Sequence, residues 1–432
     1  MAQFSTLTNK LLNNNDTIYE VVMISGQSGP TIYVPSGNLN ASSDAFGKLR
    51  ISSPHTLFDS SFRFGDNERK WNTRLNGTAD AQYQTNQGLM NLVVGGNNGD
   101  EVIRQTDKVF PYQPGKSLLI MNTFTMEPRE NVRQRVGYFT RDNGIYFELD
   151  GLESYFVLRS NVTSTVVNTR VEQSDWNVDK LDGTGPSGVI LDITKSQIQW
   201  MDVEWLGVGS VRCGFVMNGQ FIVCHIFHHA NEITGTYMTT ASLSCRYEIA
   251  NTANTLVSTT LKQICSTVIS EGGYQQIGLT RSIATPLTGK NLFNNINNPV
   301  ISIRLRSYRT EAVVVPTEIN LYGLQATAYN FKLIRGSTLT GGTWSILDSE
   351  SSVEYNLTAD SSIGGRILQE GIFRGQDTIT PLILGDIFNG ELQLSRQIID
   401  SDSSGDALTL TVTPTSNNDD VIASMSWQEK TA

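Results

Sequence analysis

The sequence predicts an all-β protein built around an antiparallel β-sandwich of the jelly-roll or concanavalin-like kind, with an N-terminal arm and a smaller C-terminal β-rich domain. Charged residues make up only 17% of the 432 positions while glycine occurs 37 times, a balance suited to short strands and polar turns rather than long solvated helices. Aromatic and β-branched runs alternate with Asn-Gly and Asp-Gly turns, the signature of hairpins. No heptad, solenoid period or long amphipathic helix is present.

Residues 1–45 mix short apolar pieces, such as 19–24, with Asn13-Asn14-Asn15, Ser25-Gly26 and Ser36-Gly37. Such a segment cannot enclose a core and reads as an arm that docks onto a partner, for example by adding a strand to a sheet edge. Residues 46–326 form the expected main sandwich. There, 136–139 and 145–149 flank Asp142-Asn143-Gly144, and Asp150-Gly151 leads into 155–158. The clearest hairpin, 211–226, turns at Asn218-Gly219. Its simple register sets Met217 opposite Gln220, Phe215 opposite Ile222, Cys213 opposite Cys224 and Val211 opposite Ile226, giving one apolar face and one mixed face with Arg212 opposite His225. The run 261–269 suits strand or helix equally. Residues 327–432 are richer in Ser, Thr, Gly and Asp, with strand candidates at 331–334, 343–347, 379–384, 408–412 and 421–427. They form a smaller β-rich domain or complete the same sandwich.

A formal charge of −10 argues against nucleic acid or an anionic membrane as partner, because phosphate attraction needs clustered Lys and Arg. The densest basic stretch, with Arg129, Arg133, Arg135 and Arg141, reads as a solvated strand face. The N-terminus lacks the pattern of a secretory signal, and no apolar run approaches the ~18–20 residues of a bilayer span; synthesis and assembly in a cytoplasm are expected. Cys213, Cys224, Cys245 and Cys265 are too few for a disulfide scaffold and are expected as free thiols.

Four stretches carry residue types suited to chemistry. His225, His228 and His229 beside Cys224 suggest a metal cluster, but strand alternation sends His228 away from the other two, and Arg212 would repel a dication. Asp202 and Glu204 near Trp200 and Trp205 suggest a glycosidase pair, although i and i+2 neighbours on a strand are ~7 Å apart whatever their role. Gly115-Lys116-Ser117 resembles the end of a phosphate loop, yet Phe110 stands where that motif needs glycine. The loop Asp400-Ser401-Asp402-Ser403-Ser404-Gly405 is spaced like a calcium loop but has Thr411 at the closing carboxylate position. No Gly-x-Ser-x-Gly elbow or His-Glu-x-x-His helix occurs. The expectation is no catalytic, cofactor-binding or metal-ligating residue, and no cofactor.

Several stretches carry a resemblance: Ala45-Phe46-Gly47-Lys48-Leu49-Arg50-Ile51-Ser52; Thr56-Leu57-Phe58-Asp59-Ser60; Phe110-Pro111-Tyr112-Gln113-Pro114-Gly115-Lys116-Ser117; the segment 175–188, from Asp175-Trp176-Asn177 to Gly185-Pro186-Ser187-Gly188; and Glu204-Trp205-Leu206-Gly207-Val208-Gly209. Over about residues 46–274 the chain resembles a family of virion structural proteins of marine tailed bacteriophages, including those that infect cyanobacteria. The resemblance implies a place in the particle, on the capsid surface or in the neck, tail or fibre apparatus, with other virion proteins and copies of itself as partners. It carries no functional residues. The order of hairpins is also similar to lectin and laminin-G sandwiches, in architecture only. A glycan-binding adhesin, with Tyr138, Tyr146 and Trp176 as candidate aromatics and a host-surface glycan as ligand, is the alternative expectation. A polysaccharide depolymerase is the third.

Overall fold

The computed structural model describes residues 19–21, 33–35, 52–275, 278–307, 309, 312–377, 381–388, 392–394, 399 and 407–430. The chain divides into two compact units, residues 1–53 and 54–432. In the first, Tyr19–Val21 pairs antiparallel with Tyr33–Pro35; the rest of the expected arm, up to residue 51, lies outside the described residues.

The second unit holds two β-sandwiches. In the first, a seven-stranded sheet runs in the order Val167–Glu172, Glu153–Ser160, Gly144–Asp150, Val132–Phe139, Cys245–Asn251, Glu101–Thr106 and Trp71–Asn76. It faces an eight-stranded sheet ordered Gln220–Phe227, Val211–Met217, Gln197–Val203, Leu118–Thr125, Thr259–Ser270, Leu89–Val94 and Asp80–Gln84, with His55–Ser61 also paired to the 259–270 strand. All pairings in both sheets are antiparallel. The protein is thus an all-β sandwich of the jelly-roll or concanavalin-like kind, and the ambiguous run 261–269 is strand.

Alternation along the strands builds the core. Val132, Val136 and Tyr138 point inward from one strand, and Ile145, Phe147 and Leu149 from its neighbour. Rings from the two sheets meet there: Phe147 lies 5.9 Å from Phe124 and 5.4 Å from Phe215, centroid to centroid. Burying such rings contributes about 2–3 kcal/mol each before packing geometry is counted. One polar atom carried inward is satisfied across the gap. The Tyr247 hydroxyl reaches Ser266 Oγ at 3.0 Å and the Cys265 carbonyl at 3.1 Å.

The second sandwich pairs a five-stranded sheet, in which Asp419–Lys430 lies between Val313–Gly323 and the two short strands Leu279–Ala284 and Lys290–Leu292, with a six-stranded sheet. The latter runs Ser345–Ile346, Val353–Asn356, Asn298–Leu305, Leu408–Pro414, Ala328–Arg335 and Arg366–Arg374. One apolar cluster joins both sheets. Strands within 279–323, placed by the sequence reading in the 46–326 domain, therefore lie in the second sandwich. Their partners are distant in the chain, as with Val313–Gly323 and Asp419–Lys430, so no local pattern marks the division. The sandwiches touch through Val109, Val313 and Val315, through the Val109 N–H donating to Gln393 Oε1 at 3.2 Å, and through Arg335 gripping Asp107 with both terminal nitrogens.

Candidate functional site

Two features of the first sandwich concentrate polar chemistry. One is the face of the seven-stranded sheet turned away from the core. Arg135 stands between Glu148 on one neighbouring strand and Glu248 on the other, directly opposite both in register. Its Nε donates to Glu148 Oε2 at 2.6 Å and its Nη1 to Glu248 Oε1 at 2.9 Å. Arg246 donates to the other Glu248 oxygen at 2.9 Å, and Arg170 joins Glu148 at 2.8 Å to Asp150 at 2.7 Å. Rings fill the spaces between the chains: the Arg159 guanidinium lies 5.0 Å from the Tyr146 centroid, and Arg246 lies 5.3 Å from that of Phe139. Gly137 sits opposite Tyr146, and a Cβ there would come within 2.7 Å of the Tyr146 Cβ.

These groups are buried by one another, with Glu148, Glu248 and Arg246 each below 4% exposed. Burial alone would raise a carboxyl's pKa, but Arg246, Arg135 and Arg133 outweigh it and hold Glu248 down at about 2. It is ionised at neutral pH and has no proton to give, whereas a glycosidase acid needs a raised pKa. The sequence reading took this basic stretch for a solvated face. The structure corrects that: Arg135 is a buried cross-strand pair partner.

The second feature is a cleft of about 650 Å³ at one end of the same sandwich. Its walls come from the ends of Glu153–Ser160 and Val167–Glu172, from Gln220–Phe227, and from the segment that follows the latter. A β-bulge creates it. Below the Asn218-Gly219 turn the register is as expected, but it shifts between Cys213 and Gly214, so Cys213 lies opposite His225 and Arg212 opposite Ile226. Cys224 is the extra residue, and its carbonyl accepts the N–H groups of Val178 and Asp179 at 3.0 and 3.1 Å. Side chain 177 completes the brace, with Asn177 exchanging two hydrogen bonds of 2.9 Å with the Ile226 backbone.

The bulge overturns two expectations. Cys213 and Cys224 are not opposite, although both remain free thiols in the core. Nor does Arg212 stand opposite His225, since it pairs instead with Asp202 at 2.9 Å, while His225 and His229 are buried and His228 exposed at the same cleft. Among the described residues no group of three or more His, Cys, Asp or Glu is disposed to hold a metal ion. The Asn177 N–H meets His225 Nδ1 at 3.4 Å, and His229 Nδ1 lies 2.7 Å from the Gly209 carbonyl, with its ring stacked 4.0 Å from Tyr237. Burial pushes His225 down to about 4 and lowers His229 as well.

The other sequence candidates are separated or occupied. Gln197–Val203 ends before Glu204, which is exposed, so Asp202 and Glu204 share no strand face. Lys116 Nζ donates to Gln113 Oε1 at 3.1 Å and the Gly273 carbonyl at 3.2 Å, inside its own loop cluster. Tyr138, Tyr146 and Trp176 are buried and cannot stack on a sugar. The Asp400 loop lies outside the described residues.

No family model and no curated protein matches the chain. Among solved structures, the chain is similar to the Bacillus licheniformis β-glucanase, at 12% identity and TM-score 0.33, over 51% of this chain and 99% of that one. It is also similar to the CBM2 module of the evolved Dit of Lactobacillus casei BL23 phage J-1, at 6% and 0.32, over 52% and 100%. A third likeness is to the carbohydrate recognition domain of Emp47p, at 11% and 0.32, over 54% and 100%. Such likenesses assign no chemistry to this chain. No helix among the described residues is long and apolar enough to cross a membrane.

Proposed function

We propose that the chain is a structural component of a tailed-phage virion, acting through assembly with other virion proteins and with copies of itself rather than through catalysis. One observation carries the reading: the buried carboxylates Glu148 and Glu248 are both paired with Arg135, and the arginines around Glu248 hold it ionised, a use of charge that fixes strand register and leaves Glu248 no proton to donate. The Arg335–Asp107 contact and the shared valine cluster join the two sandwiches. The sequence resemblance supplies the particle. Mass spectrometry of gradient-purified particles should find this chain at a fixed ratio to the major capsid protein. Its presence in infected lysate but not in particles would end the proposal. A chain starting at Ala45 should fold yet fail to incorporate, since the arm docks it; normal incorporation would remove that role from the arm.

A second reading is favoured by the cleft: a virion protein that also binds a host-surface glycan. An open-mouthed cleft of about 650 Å³ whose lining has no Lys or Arg and a single carboxylate, Glu232, falls within the roughly 300–1,000 Å³ of small-molecule sites. Binding on a glycan array tests it. Release of reducing ends from host polysaccharide would instead show a depolymerase.

A further inference from the structure

Resting on the glycan-binding reading, we infer that the end cleft takes a non-ionic saccharide, with the free ring nitrogens of His225 and His229 acting as a matched hydrogen-bond donor and acceptor for its hydroxyls.

The two imidazoles are fixed in opposite tautomers by their backbone partners. A peptide N–H only donates, so the Asn177 N–H makes His225 Nδ1 an acceptor and leaves the ring proton on Nε2. A carbonyl only accepts, so the Gly209 oxygen requires the proton on His229 Nδ1 and leaves Nε2 as a lone pair. Burial keeps both rings uncharged at pH 7. The cleft therefore offers one fixed N–H and one fixed acceptor, the complement of neighbouring hydroxyls, each of which can donate and accept.

The remaining lining narrows the ligand class. No Lys or Arg lines the cleft, and its one carboxylate is Glu232. A phosphate, sulfate or uronate would enter without a counter-charge and against that carboxylate. A purely apolar ligand would leave the imidazole nitrogens unpaired. A neutral sugar ring matches both walls: its C–H face against Leu158, Val167 and Phe227, and its hydroxyls toward the histidines and Thr169. The cleft owes this composition to the bulge, which places His225 opposite the core residue Cys213.

The test uses the full chain on an array of neutral, sulfated and uronate glycans, followed by titration calorimetry with the best neutral binder. Two variants accompany it. His229→Asn keeps an amide able to donate to the Gly209 carbonyl but lacks Nε2. Thr169→Trp fills the cleft from an exposed position and leaves the core alone. Neutral glycans alone should bind, and each variant should weaken binding roughly tenfold, about the loss of one well-made hydrogen bond or of cleft volume, with the unfolding transition unchanged for Thr169→Trp. Binding confined to sulfated or uronate glycans overturns the inference. So does a neutral glycan bound equally well by Thr169→Trp, which would leave the glycan-binding reading standing at another surface. A blank array removes both.

Discussion

Replacing Glu248 by Gln keeps the shape of the side chain and removes its charge from between Arg135, Arg246 and Arg133. The wild-type carboxyl sits at about 2 in the folded chain against its ordinary 4.5. A difference of about 2.5 units at roughly 1.36 kcal/mol per unit corresponds to about 3 kcal/mol of stability at pH 7. Breaking a buried ion pair from one side costs a similar amount, because the arginines left behind keep their desolvation. The sign follows from the depressed pKa: the contribution is complete above about 4.5 and is lost as pH falls from there through about 2. Urea unfolding of wild type and Glu248→Gln should therefore differ by about 3 kcal/mol at pH 7, and the gap should narrow by roughly 1 kcal/mol between pH 5 and 3.5. A gap below about 1 kcal/mol at pH 7, or one that ignores pH over that range, would refute the account of this face as charge-locked.

Three further outcomes are expected. Gly214→Ala would place a Cβ 1.9 Å from the Ile222 carbonyl oxygen and 3.0 Å from Trp200 Nε1; a loss of more than about 2 kcal/mol in chemical denaturation is expected, and a neutral effect would mean the bulge relaxes freely. Burial lowers both His225 and His229, and for His225 the contribution is full above the unfolded value near 6.5 and is lost as pH falls from 6.5 toward about 4. His225→Asn should accordingly flatten the fall in Tm between pH 7 and 5, and an unchanged slope would count against burial as the cause. Cys213, Cys224 and Cys245 are buried with thiols raised by desolvation, so alkylation at pH 8 should reach them only after unfolding. A 213–224 crosslink in unreduced peptides would contradict that.

Much of the first sandwich was legible because hairpin register is arithmetic. The Asp142-Asn143-Gly144 turn sets Phe139 opposite Gly144, and counting back four residues on each strand brings Arg135 opposite Glu148. The second partner, Glu248, comes from a strand 113 residues away from Arg135, and no local signal announces it. That is why the arginines looked solvated. Counting failed in the 211–227 hairpin for a related reason: the brace on the extra residue Cys224 comes from residues 177–179, outside the hairpin. The cleft depends on that brace, so it too was hidden. The division near residue 279 escaped notice because its strands find partners at 408–430.

The twelve-residue strand Thr259–Ser270 also constrains how this chain can be made. It lies mid-sheet, bonded on one side to Leu118–Thr125 and on the other, end to end, to Leu89–Val94 and His55–Ser61. Thr267 closes on the Phe58 carbonyl across 209 residues of sequence. During translation the hairpins at 132–160 and 211–227 can close their own strand pairs within a few dozen residues. The eight-stranded sheet stays split into three pieces until residue 270 has left the ribosome, because Leu118–Thr125, Leu89–Val94 and His55–Ser61 are joined only through this strand. Until then its apolar face has no complete cover, and at about 5–20 residues per second that exposure lasts for seconds. Nascent chains released short of 259 should accumulate as chaperone-bound or aggregated species, while those extended past 270 should become protease-resistant over the first sandwich.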